Sequence, residues 1–144
     1  MFSKTCQYAI RAVAHIAKQS LQQRRTGLTE LAAEINAPAQ FTAKILQRLV
    51  RSGIIQSMKG PSGGFEIERK KLKSVRLIQI VEAIDGDSVF KGCALGLPEC
   101  SASEPCPMHD KFVLLRNDLR SMLQKTSVHE IAEGLLEGLT CLKR

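Results

Sequence analysis

Residues 93–109 read CALGLPECSASEPCPMH, three cysteines and a histidine within 17 residues at the spacing C-x6-C-x5-C-x2-H. Gly92, Gly96, Pro98, Pro105 and Pro107 surround those side chains. Proline removes a backbone donor and fixes φ, and glycine weakens any helix or strand it enters. The stretch therefore reads as an irregular loop, and it divides the chain. The expected domains are a head over residues 1–84, a Cys-rich sensor loop over 85–109, and a helical stem over 110–144. At 144 residues the chain has room for one compact domain plus such an appended element. Hydrophobic residues make up 44% and aromatic ones only 4%, so the core must be aliphatic. The abundance of Leu, Ala, Lys, Gln and Arg favours helices to build it.

The periodicity of the head predicts three helices and a hairpin. Over residues 3–20, Cys6, Ala9, Ile10, Val13, Ala14 and Ala17 form one apolar stripe at helical spacing. Residues 22–27 read as a polar connector. Thr29 is a candidate N-cap for a short helix over 30–35, with Glu30 favourable against its dipole. After a turn at Asn36, Pro38 can start a longer helix that Gly53 caps. Two helices joined by a tight turn make a helix-turn-helix candidate, which alone is a weak signal. Residues 54–58 have strand character, KGPSGG forms a turn, and residues 65–68 alternate as a returning strand. A β-hairpin placed there is a wing, whose glycines permit close approach to a phosphate. No GK[ST] follows GPSGG, so a nucleotide-binding loop is discounted.

The basic run RKKLK at 69–73 reads equally well as a linker or as a phosphate-contacting flank. Leu77, Ile80, Val81 and Ile84 mark a further amphipathic helix ending at Gly86. In the stem, Phe112, Leu115, Leu119 and Met122 recur at steps of three and four over about 110–125. That seam predicts pairing with a second copy, the alternative being packing on its own domain. Ser127 and Glu130 have the spacing of a capping box for a last helix ending near Gly138. The fold class expected is mainly α with a small β-hairpin wing: a winged helix-turn-helix head with a long C-terminal dimerisation helix.

Charge is divided as the domains are. Residues 1–76 hold 14 Lys and Arg against 4 Asp and Glu, and residues 77–144 hold 7 against 10. A basic head on a mildly acidic stem suggests a polyanion-binding module, a solvated basic surface being the plainer alternative. The N-terminal stretch carries polar residues through its apolar positions, so it reads as an amphipathic helix and not an export signal. No apolar run approaches the roughly 18 residues that a membrane span needs. A cytoplasmic location without membrane association is expected, and five cysteines are then an unpromising disulfide framework. No Ser/His/Asp or Cys/His set and no paired carboxylates point to an enzyme.

In this order and spacing the stretches YAIRAVAHIA, FTAKILQRLVRSGII, MKGPSGGF and LIQIVEAIDG, followed by C-x6-C-x5-C, resemble the IscR/NsrR-type winged-helix regulators, also called the Rrf-two family. The likeness covers nearly the whole chain. It implies a homodimeric transcriptional regulator, more often a repressor, that binds a near-palindromic operator in double-stranded DNA. By position, Gln40, Thr42, Ala43 and Lys44 would face the bases, and Arg48 and Arg51 would lie nearer the backbone. Lys59 and Ser62 in the wing would reach phosphates or the minor groove. Some cluster-binding members have a glutamate where Ala43 stands, a departure that leaves the operator sequence open.

Cys93, Cys100 and Cys106 supply three thiolates of the kind an iron–sulfur cluster prefers, in a loop able to wrap it. The resemblance implies such a cluster, 2Fe-2S or 4Fe-4S, sensing redox state, nitric oxide or iron–sulfur status, with His109 at the spacing of a fourth ligand. A sample handled in air can lack it. Other members take the fourth ligand from the partner's first helix, where this chain has Cys6, Gln7 and Tyr8 and no acid. Cys6 lies on the apolar stripe, which favours a core role. The alternatives are a zinc site of three Cys and one His, or bare redox-active thiols. Beyond regulation, two other classes remain: an interaction module in a cysteine- or sulfur-metabolism complex, and an iron–sulfur carrier. His15 is expected to be packed or half-exposed, His129 solvent-facing, and Cys141 incidental.

Overall fold

The computed structural model describes residues 1–143. Helix α1, Lys4–Leu21, is the hub of the head. Half of its buried side chains are alanine (Ala9, Ala12, Ala14, Ala17), with Val13 and Ile16 between them. Small residues bring neighbouring backbones close, and α2 (Leu28–Ile35), α3 (Ala39–Arg51), α5 (Leu77–Asp85) and α8 (Val128–Leu136) all lean on this one helix. Ser3 caps it, its hydroxyl accepting from the Cys6 N–H at 3.0 Å. The same Ser3 donates its N–H to the Asp85 carboxylate at 2.9 Å, tying the start of α1 to the end of α5.

Helix α2, Leu28–Ile35, begins earlier than Thr29 suggests. Gly27 holds the N-cap position without a side-chain bond, and Thr29 lies in the first turn. The cause is tertiary. Thr26 exchanges two backbone hydrogen bonds with Phe65, at 3.0 and 2.8 Å, so the chain leaves an extended conformation at residue 26 and enters the helix at once. Asn36, at φ 54°, ends α2. Pro38 is the N-cap of α3, Ala39–Arg51, rather than its first helical residue. Gly53 at φ +72° ends α3, with its N–H on the Val50 carbonyl and the Ile54 N–H on Leu49, a Schellman closure.

Strands β1, Gln56–Met58, and β2, Gly64–Glu66, pair antiparallel with Gln56 opposite Glu66 and Met58 opposite Gly64. Both are shorter than the pattern predicts, because Ile54, Ile55 and Ile67 turn into the core at 2–4% exposure. The basic run folds as a helical turn, α4, Arg69–Leu72, which buries Leu72.

Helix α5, Leu77–Asp85, is followed by a turn at Gly86 and a short α6, Ser88–Lys91. The Cys loop leads into α7, His109–Lys125, and α8, Val128–Leu136, closes the described chain. Ser127 accepts from the Glu130 N–H at 3.1 Å, one half of the expected capping box. Residues 75–77 and 126–128 pair through Leu77 to Thr126 and Val128 to Val75 hydrogen bonds, both 3.0 Å. This clamp swings α8 back onto α1, across the boundary expected at residue 110, and Val128 and Ala132 join the head's core. By contrast α7 buries only Leu123. Burying one leucine contributes about 2 kcal/mol, so Leu123 is the main anchor of α7 near its C-terminal end. Leu114, Leu115 and Met122 on α7 are 66%, 55% and 53% exposed. No helix among the described residues is long and apolar enough to cross a membrane.

Candidate nucleic-acid interface and cysteine centre

On α3, 3.6 residues per turn divides the expected DNA-facing set. Gln40 and Lys44 are exposed on one face, and Gln47 and Arg51 continue it at the i+7 and i+11 positions from Gln40. Gln47 was not foreseen, although its spacing from Gln40 and Lys44 could have shown it. Ala43 is half-buried. Thr42, expected to face the bases, is fully buried, and its hydroxyl donates to the Pro38 carbonyl at 2.9 Å. Ile45, Leu46 and Leu49 occupy the same inner face, which leaves Thr42 no path to a groove.

Arg48 is also placed differently from expectation. Its Nη2 donates to the carbonyls of Ala83 at 3.1 Å and Ile84 at 2.6 Å. These are terminal carbonyls of α5, which carry partial negative charge and lack helical partners. The guanidinium therefore caps α5 from α3. Helix α3 is thereby bonded to the residues that lead into the Cys loop, a link no local pattern reveals.

Lys59 and Ser62 are exposed at the wing tip, where the Gly63 N–H closes the turn on the Gly60 carbonyl at 2.9 Å. A Cβ on Gly63 would stand 2.2 Å from the Met58 carbonyl oxygen, so only glycine fits that turn. The basic connector between α1 and α2 lies against this hairpin. Arg25 bonds the Ser62 carbonyl and the Glu66 carboxylate there, and Arg24 is exposed beside it.

The four expected ligands lie in one loop. Backbone N–H groups of Leu97 and Leu95 hold the Cys93 thiol below its ordinary range, with the Cys106 side chain and the Gly96 N–H adding to them. Gly96, at φ +77°, turns the chain here, its N–H donating to the Cys93 carbonyl at 3.0 Å. Cys100 Sγ lies 3.5 Å from His109 Nδ1. Arg116 of α7 ties the loop together: Nη2 donates to Cys100 Sγ at 3.0 Å and Nη1 to the Gly92 carbonyl. Arg116 escaped sequence reading because one arginine on an exposed helix carries no signal of its own. Among the described residues, no three His, Cys, Asp or Glu side chains converge as one ion would need. All five cysteines are free thiols.

Cys6 sits apart, fully buried in the core. Burial, with the nearby Asp85 charge and hydrogen bond, pushes its thiol up to about 12, which suits a packed group and not a thiolate ligand. His15 is 9% exposed, with Nε2 3.7 Å from Glu30. His129 is more enclosed than expected, its side chain 18% exposed and 3.3 Å from Glu133 one turn on.

Comparison with known proteins agrees with this geometry. A protein of Aquifex aeolicus described as an HTH-type transcriptional regulator is 29% identical over 133 residues, covering 91% of this chain and 90% of the relative. The HTH-type transcriptional regulator IscR of Xenorhabdus nematophila is 23% identical over 127 residues, covering 88% and 76%. Among solved structures, CymR, the global cysteine regulator of B. subtilis, superimposes with a TM-score of 0.76 at 16% identity over 92% of this chain and 96% of that one. IscR of T. potens does so with a TM-score of 0.73 at 12% identity over 99% and 93%. These structural likenesses establish the winged-helix fold. A family model described as Rrf2, iron-dependent transcriptional regulator, matches residues 2–134. With the helix-turn-helix, the wing and the Cys loop in that order, the chain belongs to the Rrf2 family of DNA-binding transcriptional regulators and is not an enzyme.

Proposed function

We propose that this regulator acts as a cytoplasmic homodimer and as a repressor, and that its loop holds an iron–sulfur cluster whose state sets operator affinity. The observation that carries the reading is the donor set: Cys93, Cys100, Cys106 and His109 in one loop, with Cys100 Sγ 3.5 Å from His109 Nδ1. The set fits a cluster, because Arg116 already directs an N–H group at the Cys100 sulfur. When bound, such a group supplies a reversible one-electron redox centre that oxygen or nitric oxide can also destroy.

The chain's own residues supply the transmission. Arg116 holds Cys100 and Gly92 to α7, α6 joins Gly92 to Gly86, and Arg48 joins the adjacent end of α5 to the reading helix. A rearrangement of the loop thus has a bonded route to α3. Ligand state alters DNA binding only to the extent that the two loop states differ in operator affinity. Support for the dimer comes from α7, whose Leu114, Leu115 and Met122 are exposed beside a groove of about 890 Å³ lined by Phe112, Leu119 and Val89. An apolar face of this kind is characteristic of an interface. On the DNA, Gln40 could pair with an adenine edge and Lys44 with guanine or phosphate, while Lys59 and Ser62 contact the backbone.

Purification without oxygen, with a visible spectrum and iron, sulfide and zinc analyses, tests the reading. Brown protein with matched iron and acid-labile sulfide, colourless after Cys100→Ala, is the expected result. Equal operator affinity of loaded and metal-free protein would refute the sensing role. One observation favours a second reading: the Cys93 thiol, lowered by amides and beside Cys106, suits a thiol switch. Colourless, metal-free protein after anaerobic reconstitution would leave that switch in place of the cluster.

A further inference from the structure

The connector between α1 and α2 is joined to the wing by a single β-bridge. Thr26 is fully buried and bridges Phe65 on β2 through hydrogen bonds in both directions. The approach is close enough that a Cβ on Gly64, at φ +137°, would stand 2.9 Å from the Thr26 carbonyl oxygen. Arg25, just before that bridge, reaches across the hairpin. Its Nη1 donates to the Ser62 carbonyl at 3.2 Å, and its Nε lies 3.3 Å from Glu66 Oε2. The other Glu66 oxygen accepts from Gln56 Nε2 at 2.8 Å, so the carboxylate is held on both sides. One guanidinium therefore grips both the tip and the base of the wing, with side chains only 35% and 24% exposed at Arg25 and Glu66.

We propose that Arg25 is a positioning residue for DNA binding: held by Glu66, it fixes the wing tip so that Lys59 and Ser62 meet the phosphate backbone. The idea rests on the reading that the wing touches DNA. It assigns a DNA-binding role to Glu66, an acid whose charge by itself repels DNA. Without the brace the tip turn, which carries Gly60 and Gly63, samples more conformations, and each phosphate contact then costs more ordering entropy.

The sign of one substitution separates positioning from plain electrostatics. Glu66→Gln keeps the shape and the acceptor for Gln56 but removes the negative charge that holds Arg25. Electrostatics alone predicts tighter DNA binding after that change. Positioning predicts weaker binding, by about threefold, the scale of a partly exposed ion pair. The experiment titrates the full-length protein and its variants against a labelled duplex recovered from a random library by selection with the wild-type chain, at several salt concentrations. Circular dichroism checks that each variant is folded. Weaker binding by Glu66→Gln, and a double variant Arg25→Ala/Lys59→Ala whose loss is smaller than the product of the two single losses, are the expected results. Unchanged or tighter binding by Glu66→Gln overturns the proposal. So do fully multiplicative losses in the double variant, since Arg25 would then meet a phosphate itself. If Lys59→Ala has no effect, the wing does not touch DNA and both readings fall. The other two failures leave the wing reading standing.

Discussion

Replacing Arg48 by methionine separates two roles that position alone assigns to one side chain. The substitution keeps most of the aliphatic stem and removes the guanidinium from the Ala83 and Ile84 carbonyls. A hydrogen bond from a charged group contributes about 1.5–3 kcal/mol net, and the two here share one nitrogen. The site is partly exposed and water can replace some of the loss, which brings the expected destabilisation to about 2 kcal/mol. With a urea dependence of about 2 kcal/mol/M for a chain this size, the unfolding midpoint falls by about 1 M. Urea unfolding is followed by circular dichroism at one fixed protomer concentration, because unfolding of an oligomer depends on concentration. In parallel, DNA affinity is measured as a function of salt. A phosphate contact contributes about 0.9 to the slope of log affinity against log salt. The expected outcome is a lower midpoint with the slope unchanged, and an intermediate midpoint for Arg48→Lys. An unchanged midpoint with a reduced slope would refute the argument and return Arg48 to the DNA backbone.

Thr42→Val should leave base preference unchanged in a selection from randomised duplexes and cost under about 1 kcal/mol, because the hydroxyl bonds only the Pro38 carbonyl within its own helix. Gln40→Ala should relax preference in the same assay, and altered preference in Thr42→Val alone would contradict the buried placement. In metal-free protein, alkylation of Cys93 should begin at lower pH than that of a cysteine in an unstructured peptide, as read by mass spectrometry, because backbone amides favour the Cys93 thiolate. Cys6 gives the opposite sign, its folded thiol standing at about 12 against an ordinary 9.0. The stability it contributes is fully present below pH 9 and lost as pH rises towards 12. Cys6→Ala should flatten that alkaline loss while lowering stability at neutral pH, and an unchanged alkaline slope would contradict it.

Much of this architecture was legible in local pattern. The apolar stripe of α1, the Ile45/Leu46/Leu49 face of α3 and the glycine-rich wing turn each follow from a spacing rule that a few adjacent residues satisfy. The cysteine loop was equally plain, since its prolines and glycines forbid regular structure. Boundaries were less legible where a distant strand intervened. Thr29 has the chemistry of an N-cap, yet pairing of Thr26 with Phe65 set the start of α2 two residues earlier. The burial of Thr42 and the bonding of Arg48 to α5 were not legible for one reason: a helix position near the expected DNA face says nothing about which neighbour the side chain meets.

What sequence alone determined, then, is the set of elements and their order, because periodicity and turn chemistry act over a few residues. It also supplied the inventory of thiols and cations from which any site must be built. Only the tertiary structure decided how these are joined. Arg116 closes the cysteine loop from 16 residues beyond Cys100, Arg48 reaches 35 and 36 residues to α5, and Arg25 spans 37 residues to Ser62 in the wing. Each of these links is a guanidinium finding backbone or side-chain acceptors that packing carries to it. An arginine's partners are chosen by geometry in three dimensions, and no local spacing rule encodes them.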